Sequence, residues 1–91
     1  MVERKFVVYQ LDMWGGEDRE WIQNDQYELG EIIVKCKTIS FRAFNKAIGQ
    51  QMGIYINPRY AFIDTSFAFD GGYEIVARKQ RKPLFYLQEV R

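Results

Sequence analysis

The segment "TISFRAFNKAIGQQMG", residues 38–53, constrains the fold more than any other part of this chain. Phe41, Phe44, Ile48 and Met52 recur at spacings of 3, 4 and 4, which sets them on one stripe of a helix. Arg42, Asn45, Lys46 and Gln50 fall on the polar side. Ser40 or Thr38 can cap the start, and Gly53 is placed to end it. Gly49 weakens the helix by about 1 kcal/mol relative to Ala, which points to a close packing partner at that position. On either side of this helix the apolar residues repeat at period two. A single amphipathic helix, about 40–52, between strand-forming blocks predicts an α+β fold: the helix packs on an antiparallel sheet of about five strands.

The first strand candidate is "KFVVYQLDM", where Val7, Tyr9, Leu11 and Met13 share the face expected to point inward. Phe6 and Val8 lie on its other face, so the strand suits the middle of a sheet. Gly15-Gly16 breaks it. "WIQNDQYEL" has no clear period, and Gly30 punctuates its end. "EIIVKCK" then reads as a strand, with Ile32, Val34 and Cys36 opposite Lys35 and Lys37. After the "INPRY" turn comes a C-terminal β-meander. "RYAFIDTSFAF" alternates Ala61, Ile63, Thr65, Phe67 and Phe69, and "DGG" at 70–72 signals a hairpin. "YEIVARK" and "LFYLQEV" follow, joined by the basic turn "QRKP".

Ninety-one residues allow one compact domain, residues 1–91, and one core. Fifteen of them are Phe, Tyr or Trp, which supplements a small core and equally suits a binding surface. The net charge of +1 conceals an asymmetry. Residues 12–31 carry seven acids and one base, whereas residues 32–91 carry ten bases and four acids. Such an imbalance bears on partners and association rather than on fold, and it favours self-association as a twofold homodimer that salt would loosen. One cysteine excludes an internal disulfide framework, and no apolar run approaches a signal core or a membrane span. The expectation is a cytoplasmic protein with no membrane contact.

The residues give little support to catalysis. Histidine, the commonest general base and metal ligand, is absent. Cys36 alternates with isoleucine and valine, as a small buried hydrophobe does. Asp70 suits a turn and Asp64 the polar face of a strand. No glycine-rich loop opens a helix to cradle phosphate. A binding protein without cofactor or metal is the expectation, not an enzyme.

Two stretches carry candidate contacts. In "MWGGEDREW", residues 13–21, two tryptophans flank glycines and charges in what reads as a loop. Trp14, Glu17, Asp18, Glu20 and, further on, Tyr27 are the candidate partner-binding residues. Acids interleaved with aromatics can mimic nucleic-acid charge or dock on the basic cleft of a protein effector; the plainer reading is a surface segment covering one end of the sheet. In "RKQRKP", Arg78, Lys79, Arg81 and Lys82 are the candidate nucleic-acid contacts, with Arg4, Lys5 or Arg91 as possible helpers. A solvated turn guarding a sheet edge is the plainer reading there, and the charge pattern alone favours it.

The opening third of the chain resembles a group of short, mostly uncharacterised bacteriophage-encoded proteins. The residues that carry the likeness are Asp12, Trp14 and Gly15 at the end of the first strand, then Asn24, Asp25, Tyr27 and Gly30. The resemblance implies a phage or mobile-element origin. Small phage proteins often act as stoichiometric inhibitors of host systems, anti-CRISPR proteins among them. By that analogy the expected partner is a host protein effector or a small nucleotide. A nucleic-acid-binding accessory role is the alternative.

The two tryptophans should differ in consequence. Trp21, beside Ile22, is the expected core member, whereas Trp14, beside two glycines and a run of acids, is the expected contact residue. Trp21→Ala should lower the thermal midpoint by several degrees. Trp14→Ala should leave the midpoint nearly unchanged and weaken partner binding, at a cost of about 2 kcal/mol or more. Thermal melts of both variants check this, and unfolding by Trp14→Ala would make that position core.

Overall fold

A computed structural model describes residues 2–15, 21–66 and 68–91, with 12–15 and 21–25 described through their backbone. Five strands and one helix follow in the order β1 (Glu3–Gly15), β2 (Trp21–Lys35), α1 (Phe41–Met52), β3 (Ala61–Asp64), β4 (Gly72–Ala77) and β5 (Pro83–Glu89), with a 3-10 turn at Ala68–Asp70 before β4. The sheet is antiparallel in the order β2-β1-β5-β4-β3. The last three strands form the expected meander, and α1 packs on the sheet. The fold is α+β, as the alternation of periods predicts.

The inward face of β1 is the reverse of the one read from the sequence. Phe6 and Val8 are fully buried, while Val7, Tyr9 and Leu11 are only half-buried on the open face. Both faces of "KFVVYQLDM" are apolar, so β1 alone cannot decide its parity; its neighbours do. Val8 stands opposite Leu87, and Phe6 stands directly opposite Ile32. Leu87, Ile75, Ile32 and Val34 then share the dry face with Phe44 and Ile48 of α1.

"WIQNDQYEL" and "EIIVKCK" form one strand rather than two elements. Pairing with β1 carries β2 through Gly30, where the register shifts: Val8 faces Gly30 and Tyr9 faces Glu28, which leaves Leu29 as the extra residue of a bulge. Gly30 has φ 139°, a backbone setting that suits glycine, and a methyl group there would lie 3.3 Å from the Met52 methyl at the end of α1. Trp14 and Trp21 consequently lie within β1 and β2, not in a loop; Trp14 faces Ile22 across the ribbon.

"RYAFIDTSFAF" is strand only as far as Asp64. The Asp64 carboxylate accepts the Ser66 backbone N–H at 2.9 Å and turns the chain before the alternation can continue. Ala61 is buried and Ile63 half-buried as expected, but Thr65 and Phe69 are exposed, and Phe67 lies outside the described residues. The "DGG" signal holds in part: Gly71 takes φ 76° and β4 starts at Gly72, at the end of a longer connection.

The helix ends are those foreseen. The Ser40 hydroxyl accepts the Ala43 N–H at 3.2 Å, and left-handed Gly53 returns its N–H to the Gly49 carbonyl at 3.1 Å. Gly49 does have a close partner: a methyl group there would lie 2.6 Å from the Tyr55 ring.

At the N-terminal end of β1 the dry face closes on a polar clamp. The Arg4 guanidinium donates to both oxygens of Glu89, at 2.7 and 2.8 Å, and to the Tyr73 hydroxyl at 3.1 Å. Its Cζ lies 5.6 Å from the Phe6 ring centroid, and Phe6 meets Tyr73 edge-on at 5.8 Å. A forked pair of this kind is shorter and stronger than an ordinary surface ion pair. The Arg4 fork holds the Glu89 carboxyl below its usual range, against the opposing effect of burial.

A carboxyl depressed by folding adds stability above its unfolded pKa of about 4.3. That stability is lost as pH falls through the folded value. Glu89→Gln should therefore lower the thermal midpoint at pH 7 by about 4–8 °C per kcal/mol of lost pairing. The gap from wild type should close as pH drops below about 4, and melts of both proteins across that range check it.

Candidate partner-binding surfaces

Two surfaces of opposite charge meet at one end of the sheet. β5 accompanies β1 only from Phe6 to Gln10. From Leu11 to Gly15 the sheet is, among the described residues, a two-stranded ribbon of β1 and β2. Thirteen strand residues at about 3.3 Å each span roughly 43 Å, close to the 44 Å long dimension of the molecule. Asp12 and Asp25 of the acidic block lie on this ribbon, past the last residue of β1 that pairs with β5. Asp12 stands opposite Asp25 in register. Glu17, Asp18 and Glu20 lie outside the described residues. Trp14 is described only through its backbone in β1. Tyr27, opposite Gln10 near the root of the ribbon, is 52% exposed, and Leu29 of the bulge is also exposed.

The basic turn joins β4 to β5 and is closed by the Ala77 N–H donating to the Lys82 carbonyl at 2.8 Å, with Arg81 at φ 50°. Because Phe85 pairs with Gln10, this turn sits beside the root of the ribbon. Arg78, Lys79 and Arg81 are exposed and Lys82 is half-buried. Arg78 does not extend as a free finger: its guanidinium lies 5.5 Å from the centroid of Phe62. The two side chains border a shallow depression on the open face that also includes Asp64, Glu74, Val76 and Arg81. Asp64 and Glu74 are paired across β3 and β4. Burial, and secondarily the charge of Asp64, raise the Glu74 carboxyl above its usual range.

The expected helpers of this turn are elsewhere. Arg4 is committed to Glu89 at the opposite end of β1, and Lys5 pairs with Glu31 at 3.2 Å. Arg91 follows β5 at that same far end. The fold supplies a different pair. The Arg78 N–H donates to the Tyr60 carbonyl at 2.8 Å, which brings exposed Arg59 and Tyr60 of the "NPRY" turn against the basic turn. That grouping depends on β3 pairing with β4, and the sequence carries no local signal of it.

Cys36 packs half-buried against the core, beside Ile32 and Val34 as its strand pattern foresees. Among the described residues no three His, Cys, Asp or Glu side chains converge as a metal site would require, and no helix is long and apolar enough to cross a membrane. No family model, curated protein or solved structure matches the chain.

Proposed function

We propose that this chain is a non-enzymatic, phage-type binding protein that inhibits a host defence system by occupying the surface of a protein effector in the bacterial cytoplasm. One observation carries the reading: an acidic two-stranded ribbon stands off from the core, and the segment between its strands adds Glu17, Asp18 and Glu20. A ribbon outside the packed core contributes little to the fold, since an isolated two-stranded hairpin is marginal by itself. Its charge and Trp14 suit a basic, pocketed partner surface. Sequestration of a small nucleotide, stacked on Trp14, belongs to this reading, as does a salt-sensitive homodimer.

A second reading has its own support. Arg78, Lys79, Arg81 and Lys82, together with Arg59 and Tyr60, group bases with an exposed aromatic at one end of the sheet, as a single-strand nucleic-acid contact would require. The adjacent acidic ribbon weighs against it, because it repels phosphate.

Capture from a bacterial lysate, with and without nuclease, separates the two. The first reading expects a stoichiometric protein partner that survives nuclease and is lost when Glu17, Asp18 and Glu20 are all changed to Lys. Loss of all captured material on nuclease treatment, with retention abolished by Gln at the four basic-turn positions and falling steeply with salt, would favour the second.

A further inference from the structure

The outer edge of β2 is occupied by a side chain that imitates a peptide. β2 ends the sheet, and β1 pairs with only one side of it. On the other side the Ile33 N–H donates to Gln51 Oε1 at 2.9 Å, and Gln51 Nε2 donates to the Ile33 carbonyl at 2.7 Å. A carboxamide presents one donor edge and one acceptor, like a peptide group, so these are the two bonds that an added antiparallel strand would make. Gln51 is exposed, and its flexible side chain can swing aside. Beside it an open groove of about 470 Å³ separates β2 from α1. Lys35, Arg42 and Lys46 line this groove, with no acid among the lining residues, and Ile33 offers an apolar contact that is 42% exposed.

We propose that the β2 edge beside α1 is a docking site for an extended, acidic peptide segment of a partner protein, which displaces Gln51 and adds a sixth strand to the sheet. Main-chain bonds to Ile33 would supply the register, and the three bases would select glutamate or aspartate at alternate positions. A second copy of this chain fits less well, because its own α1 would bring Arg42 and Lys46 against the same residues. A run of phosphates offers acceptors only and cannot donate to the Ile33 carbonyl.

The test uses a fluorescent eight-residue peptide alternating Glu with Val or Thr, titrated against the full chain. Saturable binding that weakens with salt is expected, with shifts of the Ile33 amide and the Gln51 side-chain resonances in ¹H–¹⁵N spectra. The Lys-for-Glu peptide should not bind. N-methylation of the peptide amides that face β2 should weaken binding about tenfold, as should Arg42→Glu with Lys46→Glu, both exposed and checked for fold by melting. Gln51→Ala should bind at least as tightly as wild type. Failure of the Glu peptide to bind at low salt overturns the proposal, as does equal binding of the N-methylated peptide, which would leave charge alone. Preference for an eight-nucleotide thymidine oligomer also overturns it, as does a concentration-dependent dimer that shifts Ile33 without peptide.

Discussion

Everything in this fold depends on β1 lying between β2 and β5. That position forces one face of β1 to be dry along its middle, and Phe6 and Val8 take it because Ile32 and Leu87 stand beside them. The helix then has a single apolar surface to cover. The Arg4 clamp finishes that surface at one end: it satisfies a guanidinium, a carboxylate and a phenol at the border of the core, with Arg4 and Glu89 85 positions apart in the chain. At the other end β5 stops, and the β1–β2 pair continues without it.

The elements that were legible in the sequence are those whose signals are local. The α1 stripe, its Ser40 and Gly53 ends, the close contact at Gly49 and the alternation of Ile32 with Val34 all depend on neighbours within a turn or two. What was not legible required knowledge of partners. A strand apolar on both faces has no parity of its own: alternation from Val7 through Tyr9 points one way, and the neighbouring strands bury Phe6 and Val8 instead. Gly30 looks like the end of an element, but a strand pairing across it makes it a bulge. Alternation through Thr65 and Phe69 was outweighed by one aspartate turn.

The surfaces divide in the same way. The charges of the acidic block and the basic turn are visible in one dimension, but their meeting at one end of the sheet follows from Phe85 pairing with Gln10. Arg4 counted as a surface base in the sequence and is a structural residue in the fold. Asn45 falls on the polar side of the helix in the sequence, which gives Gln51 no role at all. Both instead span a single residue's backbone: Asn45 holds Ile56 at 2.8 and 3.2 Å, as Gln51 holds Ile33. A carboxamide's role depends on which main chain lies within reach, and composition does not record that.

The pairing of β1 with β5 also sets an order of events on the ribosome. The β1–β2 hairpin and α1 are made of contacts close in sequence and can form as the chain emerges. The meander strands are likewise neighbours of one another. But the inner edge of β1 has no strand to pair with until residues 85–89 have been synthesised, and its unpaired N–H and C=O groups face water or any other extended chain nearby. The hydrophobic face prepared by Phe6, Val8, Ile32 and Val34 therefore closes last. The nascent chain is most open to wrong pairing in that interval, before Leu87 reaches Val8 and Glu89 reaches Arg4.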